Sequence, residues 1–143
     1  MSYLRIISID KPKGWTSFDV VRFVKRQFQE KKVGHLGTLD PMATGVLPVF
    51  LGQATRLIPL FNNVDKTYRA ICKFGESTDT YDAEGTVTQT LDPSFLNQQE
   101  VTKAVYSFLG QQEQQTPAFS AAKVNGVPSY KLARKHHKSK EEV

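Results

Sequence analysis

Gly34-His35-Leu36-Gly37-Thr38-Leu39-Asp40-Pro41-Met42-Ala43-Thr44-Gly45-Val46-Leu47-Pro48-Val49 is the stretch in which this sequence departs most from a generic globular chain. Gly34, Gly37, Pro41 and Gly45 punctuate it as turn, and the apolar run from Val46 to Leu51 follows as a buried strand. Pro48 has no amide hydrogen to give a ladder, so that strand is expected at a sheet edge or a bulge. Asp40 is the only carboxylate between Glu30 and Asp65. Asp-Pro is ordinary turn chemistry, because the Asp side chain bonds its own backbone and proline fixes the next dihedral. A lone carboxylate held on a stiff loop at a sheet edge is equally a place for chemistry. Residues 34–49 by themselves leave both readings open.

The length of 143 residues fits one domain with a sizeable core, and aromatics at 10% argue against disorder. Nineteen Lys and Arg against fourteen Asp and Glu give a net charge of +5, which favours a polyanionic partner without naming one. Cys72 is the only cysteine, which excludes a disulfide framework and a thiolate zinc cluster and points to a reducing compartment, the cytoplasm. No apolar run nears the ~18 residues of a membrane span. Met1-Ser2-Tyr3-Leu4-Arg5 lacks the charged start of an export signal, so no membrane partner is expected.

Outward toward the N-terminus, Leu4, Ile6, Ile7 and Ile9 predict a buried strand closed by the turn Asp10-Lys11-Pro12-Lys13-Gly14. Thr16-Ser17-Phe18-Asp19 has the form of a capping box and predicts a helix from about Phe18 to Gln29. Val20, Phe23, Val24 and Phe28 make its apolar stripe, with Arg22, Lys25, Arg26 and Gln29 opposite. Lys31 and Lys32 carry that positive surface into the central loop. Taken singly, each of these cations reads as solvated charge.

Toward the C-terminus, Ala54–Ile58 fits a short helix before Pro59. Lys66–Phe74 alternates as a half-buried strand with Tyr68, Ala70, Cys72 and Phe74 on one face, making Cys72 a small core residue. Glu76, Asp79, Asp82 and Glu84 concentrate acid, but the glycine and glutamate positions of a calcium loop are not supplied. Gly85–Gln89 reads as a strand. Asn97 and Glu100 cap a helix whose stripe is Val101, Ala104, Val105 and Phe108 and which Gly110 stops. Gln111–Gln115 is a polar loop, Asn125-Gly126 predicts a hairpin, and a helix is expected to start near Pro128. Lys131, Arg134, Lys135, Lys138 and Lys140 with His136 and His137 form a basic end. With no cysteine or spaced carboxylate to complete a ligand set, it reads as a solvated tail rather than a metal site.

Together these pieces resemble the tRNA pseudouridine synthase B (TruB) family. Lys11-Pro12-Lys13-Gly14-Trp15-Thr16-Ser17 with Asp19-Val20-Val21 is similar to its first motif, and Lys32–Pro41 with Ala43–Pro48 to its second, which is highly specific. Lys66-Thr67-Tyr68 resembles the tyrosine motif, Thr78-Asp79-Thr80 with Asp82 and Gly85 the acidic turn, and Gln115-Thr116-Pro117 through Lys123 a later hairpin. The likeness runs from about Ile9 to Arg134.

The resemblance implies an α+β fold, a mixed and mainly antiparallel sheet flanked by helices. It implies an isomerase of uridine in the T loop of tRNA, in which uracil is detached from ribose C1′, turned and rejoined through C5. Asp40 would be the catalytic carboxylate, acting on the sugar, on the base, or on a ribose proton, without metal or cofactor. Tyr68 would stack on the extruded base, an interaction worth ~1–3 kcal/mol, and its phenol is a candidate for shuttling the C5 proton. His35 would help displace the base and hold the loop, and Lys31, Lys32, Arg22, Lys25 and Arg26 would contact phosphate. The base would have to leave the stack to reach a buried carboxylate, so base flipping is implied by access. The family's later segments are not in these residues: a strand with an apolar residue under the uracil, an arginine paired with the aspartate, and a small RNA-binding (PUA) domain. Residues 1–143 are therefore expected to be an incomplete catalytic domain, with self-association or a missing segment completing it. The alternatives are a tRNA-binding or folding module without chemistry, and a related synthase acting on ribosomal or small RNA.

Overall fold

In the computed structural model, which describes residues 4–113, 123, 124 and 126–128, the chain divides into two units, Met1–Arg69 and Ala70–Val143. Helices and antiparallel strands make it an α+β protein.

The first unit is built on alternation. Strand β1 (Arg5–Lys11) and strand β2 (Val33–His35) both pair antiparallel with β3 (Gly45–Leu51), giving the order β1-β3-β2. Side chains two apart on a strand share a face. Leu47, Val49 and Leu51 therefore point one way, joined in register by Ile9, Ile7 and Val33 from the neighbouring strands. Helix α1 (Ser17–Gln27) lays Val20 and Val24 on this face, and Leu39 packs against the same cluster. An isolated helix of α1's length is marginal in water, so this packing is what sustains it. Each fully buried Val or Leu adds roughly 1.5–3 kcal/mol. Phe50 points to the other face and meets the Phe61 ring at 5.6 Å. Phe61 ends a 3-10 helix, Gly52–Phe61, which is longer than the expected Ala54–Ile58 and runs through Pro59.

Several expectations need correction. Pro48 lies in the central strand, neither at an edge nor in a bulge. Its carbonyl accepts the Leu36 N–H at 2.9 Å, toward the β2 side, and a strand residue's N–H and C=O point the same way. The missing hydrogen therefore falls where β2 has already ended at His35, and no ladder bond to β1 is lost. Phe23 and Phe28 are exposed, at 41% and 44%, while Val21 is buried; the buried face of α1 runs through Val20, Val21 and Val24. Phe23 instead meets Trp15 edge-on at 5.9 Å. Residues 66–74 form no strand; no described segment pairs with them, Ile71 is fully exposed, and Cys72 is exposed rather than part of a core.

In the second unit, β4 (Glu76–Thr78) and β5 (Val87–Thr90) make a hairpin around the acidic turn. Hydrogen bonds within that turn occupy two of its acids: Asp79 accepts the Thr86 N–H at 2.8 Å, and Asp82 accepts the Thr80 hydroxyl at 2.6 Å and the Glu84 N–H at 2.9 Å. Helix α2 (Gln98–Tyr106) is capped by Asn97, whose side chain accepts the Glu100 N–H at 3.0 Å. Its expected apolar stripe is not packed, for Val105 and Phe108 are exposed. Strands β6 (Lys123–Val124) and β7 (Val127–Pro128) pair antiparallel, Val124 opposite Val127, as a hairpin in the place expected. The helix expected near Pro128, the basic end and most of the Gln115–Lys123 motif lie outside the described residues.

The capping box at α1 is complete. Thr16 accepts the Asp19 N–H at 3.1 Å through its hydroxyl oxygen, and Asp19 accepts the Thr16 N–H at 2.8 Å and its hydroxyl at 2.5 Å. The Thr16 hydroxyl, then the Arg22 guanidinium and the Thr16 N–H, hold the Asp19 carboxyl down from 3.8 to about 2. A folded value below the unfolded one gives stabilisation that is complete above 3.8 and is lost as pH falls toward about 2. Circular-dichroism melts should therefore show a shallower acid decline in unfolding temperature for Asp19→Asn than for the parent across that window; equal slopes would remove the box from the acid response.

Candidate active site

The backbone on either side of Asp40 is held by residues from the first motif. Before it, Leu39 is gripped by Ser17, the first residue of α1, whose hydroxyl oxygen accepts the Leu39 N–H at 2.9 Å while its hydrogen is given to the Leu39 carbonyl at 3.1 Å. After it, the Pro41 carbonyl accepts the Gly14 N–H at 2.7 Å and the Lys11 ammonium at 3.3 Å. That ammonium also donates to the carbonyls of Trp15 at 2.6 Å and Pro12 at 3.0 Å. Lys11 has no exposed surface and no carboxylate paired with it among the described residues. A buried ammonium is tolerated only when its protons are matched, and here three protons meet three carbonyls. The Asp40 carbonyl accepts the Ala43 N–H at 3.0 Å, closing the turn.

The Asp40 side chain itself is exposed, not buried as the base-flipping argument supposes. Leu39 takes the core-facing place beside it, and the neighbouring carboxylate stays in water, where its charge is solvated at no cost.

His35 ends β2, and its Nδ1–H donates to the Gly37 carbonyl at the start of the loop. Gly37 has a φ of 71°, a left-handed conformation that a side chain would strain. Gly34 is needed for space, because a Cβ there would lie 2.9 Å from Ile58 Cδ1. The loop is thus shaped from its own glycines and from the 3-10 helix beneath it.

Tyr68 lies outside any helix or strand and is exposed, yet it shares a cavity with the loop. Leu36, Gly37, Thr38 and Leu39, with Val46, Leu47 and Pro48 of β3, face Val64–Tyr68 across a space of about 240 Å³. Of the predicted cations none lines it. Arg22 is engaged, ion-paired with Asp19 and stacked 5.7 Å above the Phe18 ring. Lys25, Arg26, Lys31 and Lys32 have no ion pair among the described residues and leave their charge to solvent. Lys11 and Ser17, whose bonds position the loop, are not among the site residues the sequence points to. Their signal was parity: Lys11 continues the inward-facing series Ile7, Ile9, and Ser17 the helical series Val20, Val21, Val24.

Residues 25–143 match the family model described as "TruB family pseudouridylate synthase (N terminal domain)". Among curated proteins, "tRNA pseudouridine synthase B" of Syntrophotalea carbinolica is 49% identical over 129 residues, which cover 90% of this chain and 42% of that protein. The protein of the same name from Clostridium tetani is 49% identical over 130 residues, 91% of this chain and 45% of its own length. The chain thus spans less than half the length of these relatives. A solved archaeal box H/ACA sRNP Nop10-Cbf5 complex shares 52% identity over 38% of this chain and 17% of its own chain, with a TM-score of 0.37.

Replacing Lys11 by methionine keeps most of its volume but removes the donor to three carbonyls. The expected loss is about 1–3 kcal/mol of stability, the cost of acceptors left without partners. Urea denaturation measures it, and an unchanged midpoint would show that the ammonium is dispensable to the loop.

Proposed function

The chain belongs to the TruB family of pseudouridylate synthases, and from that premise we propose that it carries the catalytic loop of a tRNA pseudouridine synthase acting on a uridine in the T loop of tRNA. The observation that carries the reading is the cavity shared by Gly37–Leu39, next to Asp40, and Lys66–Tyr68. At about 240 Å³ it falls below the ~300 Å³ where pockets for drug-sized ligands begin, a size suited to one nucleobase. A base can enter it only by leaving its stack.

The reaction is an isomerisation. The C1′–N1 bond breaks, a C1′–C5 bond forms, the C5 proton departs and N1 gains one, so no oxidant or reductant is consumed. Asp40 is the reacting carboxylate, and its loop is set before substrate arrives by the bonds at Leu39 and Pro41. The exposed Tyr68 ring offers a face for the base. Lys25, Arg26, Lys31 and Lys32, free of ion pairs among the described residues, supply phosphate attraction that weakens with salt. Arg22 supplies less, since its guanidinium is already engaged by Asp19 and Phe18. His35 steadies the loop through Gly37.

Two measurements test this. With tRNA transcript tritiated at uracil C5, the chain extended to the length of its relatives is expected to release label to solvent, and Asp40→Asn to reduce the rate at least about 100-fold. A folded, extended chain with Asp40 intact that releases nothing, on a transcript another tRNA pseudouridine synthase does process, would overturn the proposal. In filter binding, Lys25→Gln and Lys32→Gln should each flatten the dependence of affinity on log salt by about one unit of slope, with Arg22→Gln changing it less.

A further inference from the structure

We propose that Ser17 is a positioning residue for Asp40, fixing where the carboxylate stands through the backbone of Leu39; this rests on Asp40 being the reacting group. Ser17 is 3% exposed and does not line the cavity, so it does not meet substrate. Its hydroxyl has one proton to give and lone pairs to accept, and it spends both on a single residue, bonding the Leu39 carbonyl and the Leu39 N–H. The Leu39 carbonyl belongs to the peptide whose nitrogen is that of Asp40. Because that peptide is planar, fixing the carbonyl direction fixes the plane from which Asp40 departs.

The other end of the lever is rigid. Ser17 follows Thr16, whose box with Asp19 locks the start of α1, and the helix is seated by Val20, Val21 and Val24, all at 2% exposure or less. One hydroxyl thus fixes the peptide plane ahead of Asp40 to the frame of the core, beside the packing of the Leu39 side chain. Lys11 and Gly14 hold only Pro41, beyond Asp40, and leave the preceding peptide plane to Ser17. A solely structural serine would cost stability when lost; a positioning serine costs rate per folded molecule.

The test joins an activity measurement to one that needs no activity. In the full chain, native-state amide exchange should show Leu39 N–H at least about tenfold faster in Ser17→Ala than in the parent, while Val49 in the core strand is unchanged. Tritium release per folded molecule should fall about 10- to 100-fold in kcat, with KM for tRNA within about twofold, the pattern of a misplaced group rather than a lost contact. Ser17→Thr, which keeps the hydroxyl, should recover both, and Ser17→Cys carries the same comparison if Ser17→Ala does not fold. Unchanged Leu39 exchange overturns the inference, as does faster exchange with kcat intact. An unsubstituted chain, extended to the length of its relatives, that folds but releases no tritium overturns instead the proposed function, and the exchange measurement then decides the clamp by itself.

Discussion

The buried Lys11 ammonium is the constraint on which the first unit depends. An ammonium withdrawn from water loses far more solvation than one hydrogen bond returns, so the fold must bring acceptors to every proton. It does so with backbone alone: the carbonyls of Pro12 and Trp15, local to the turn after β1, and of Pro41, thirty residues on. The turn geometry and the placement of the 39–43 loop are thereby one requirement, since either carbonyl group displaced would leave a buried charge short of a partner. Gly14, donating to the same Pro41 carbonyl, ties the two segments a second time.

Much of this unit was legible in the residues. The alternation at Ile7, Ile9 and at Leu47, Val49, Leu51 follows from the two-residue period of a strand, and the Thr16/Asp19 box announced α1 to within a residue or two. Lys11 and Ser17 obeyed the same periods, but their polarity hid them: a lysine at a strand end and a serine in a helix's first turn pass as turn and cap chemistry. Pro48 misled for a related reason. That it would cost a ladder bond was sound in general, and whether it did depended on how far β2 extends, which no local pattern contains.

The second unit shows where local pattern runs out altogether. Alternation across residues 66–74, which enter this unit from the first, and the stripe on α2 are both present in sequence, yet the first pairs with no described strand and the second buries nothing. Period specifies which side chains share a face; burial needs a surface to meet that face. The elements of this unit that did form as expected, the Asn97 cap and the β6–β7 hairpin, are those whose stabilising bonds lie within a few residues.

Asp40 joins these threads. Two devices can ready a carboxylate for chemistry: burial, which strengthens every field around it but favours the protonated acid, or a fixed backbone that presents it in solvent. The described residues supply the second. Leu39 is anchored in the core and bonded by Ser17, Pro41 by Lys11 and Gly14, while the side chain between them stays exposed. Because the bonds run to backbone groups, they leave the carboxylate oxygens free of obligations to the loop, whose residues Leu36–Leu39 line the cavity beside Tyr68. An Asp-Pro turn and the reactive carboxylate we propose are therefore not rival descriptions of this loop. The turn, stitched to α1 and β1, is the means by which the carboxylate is held out.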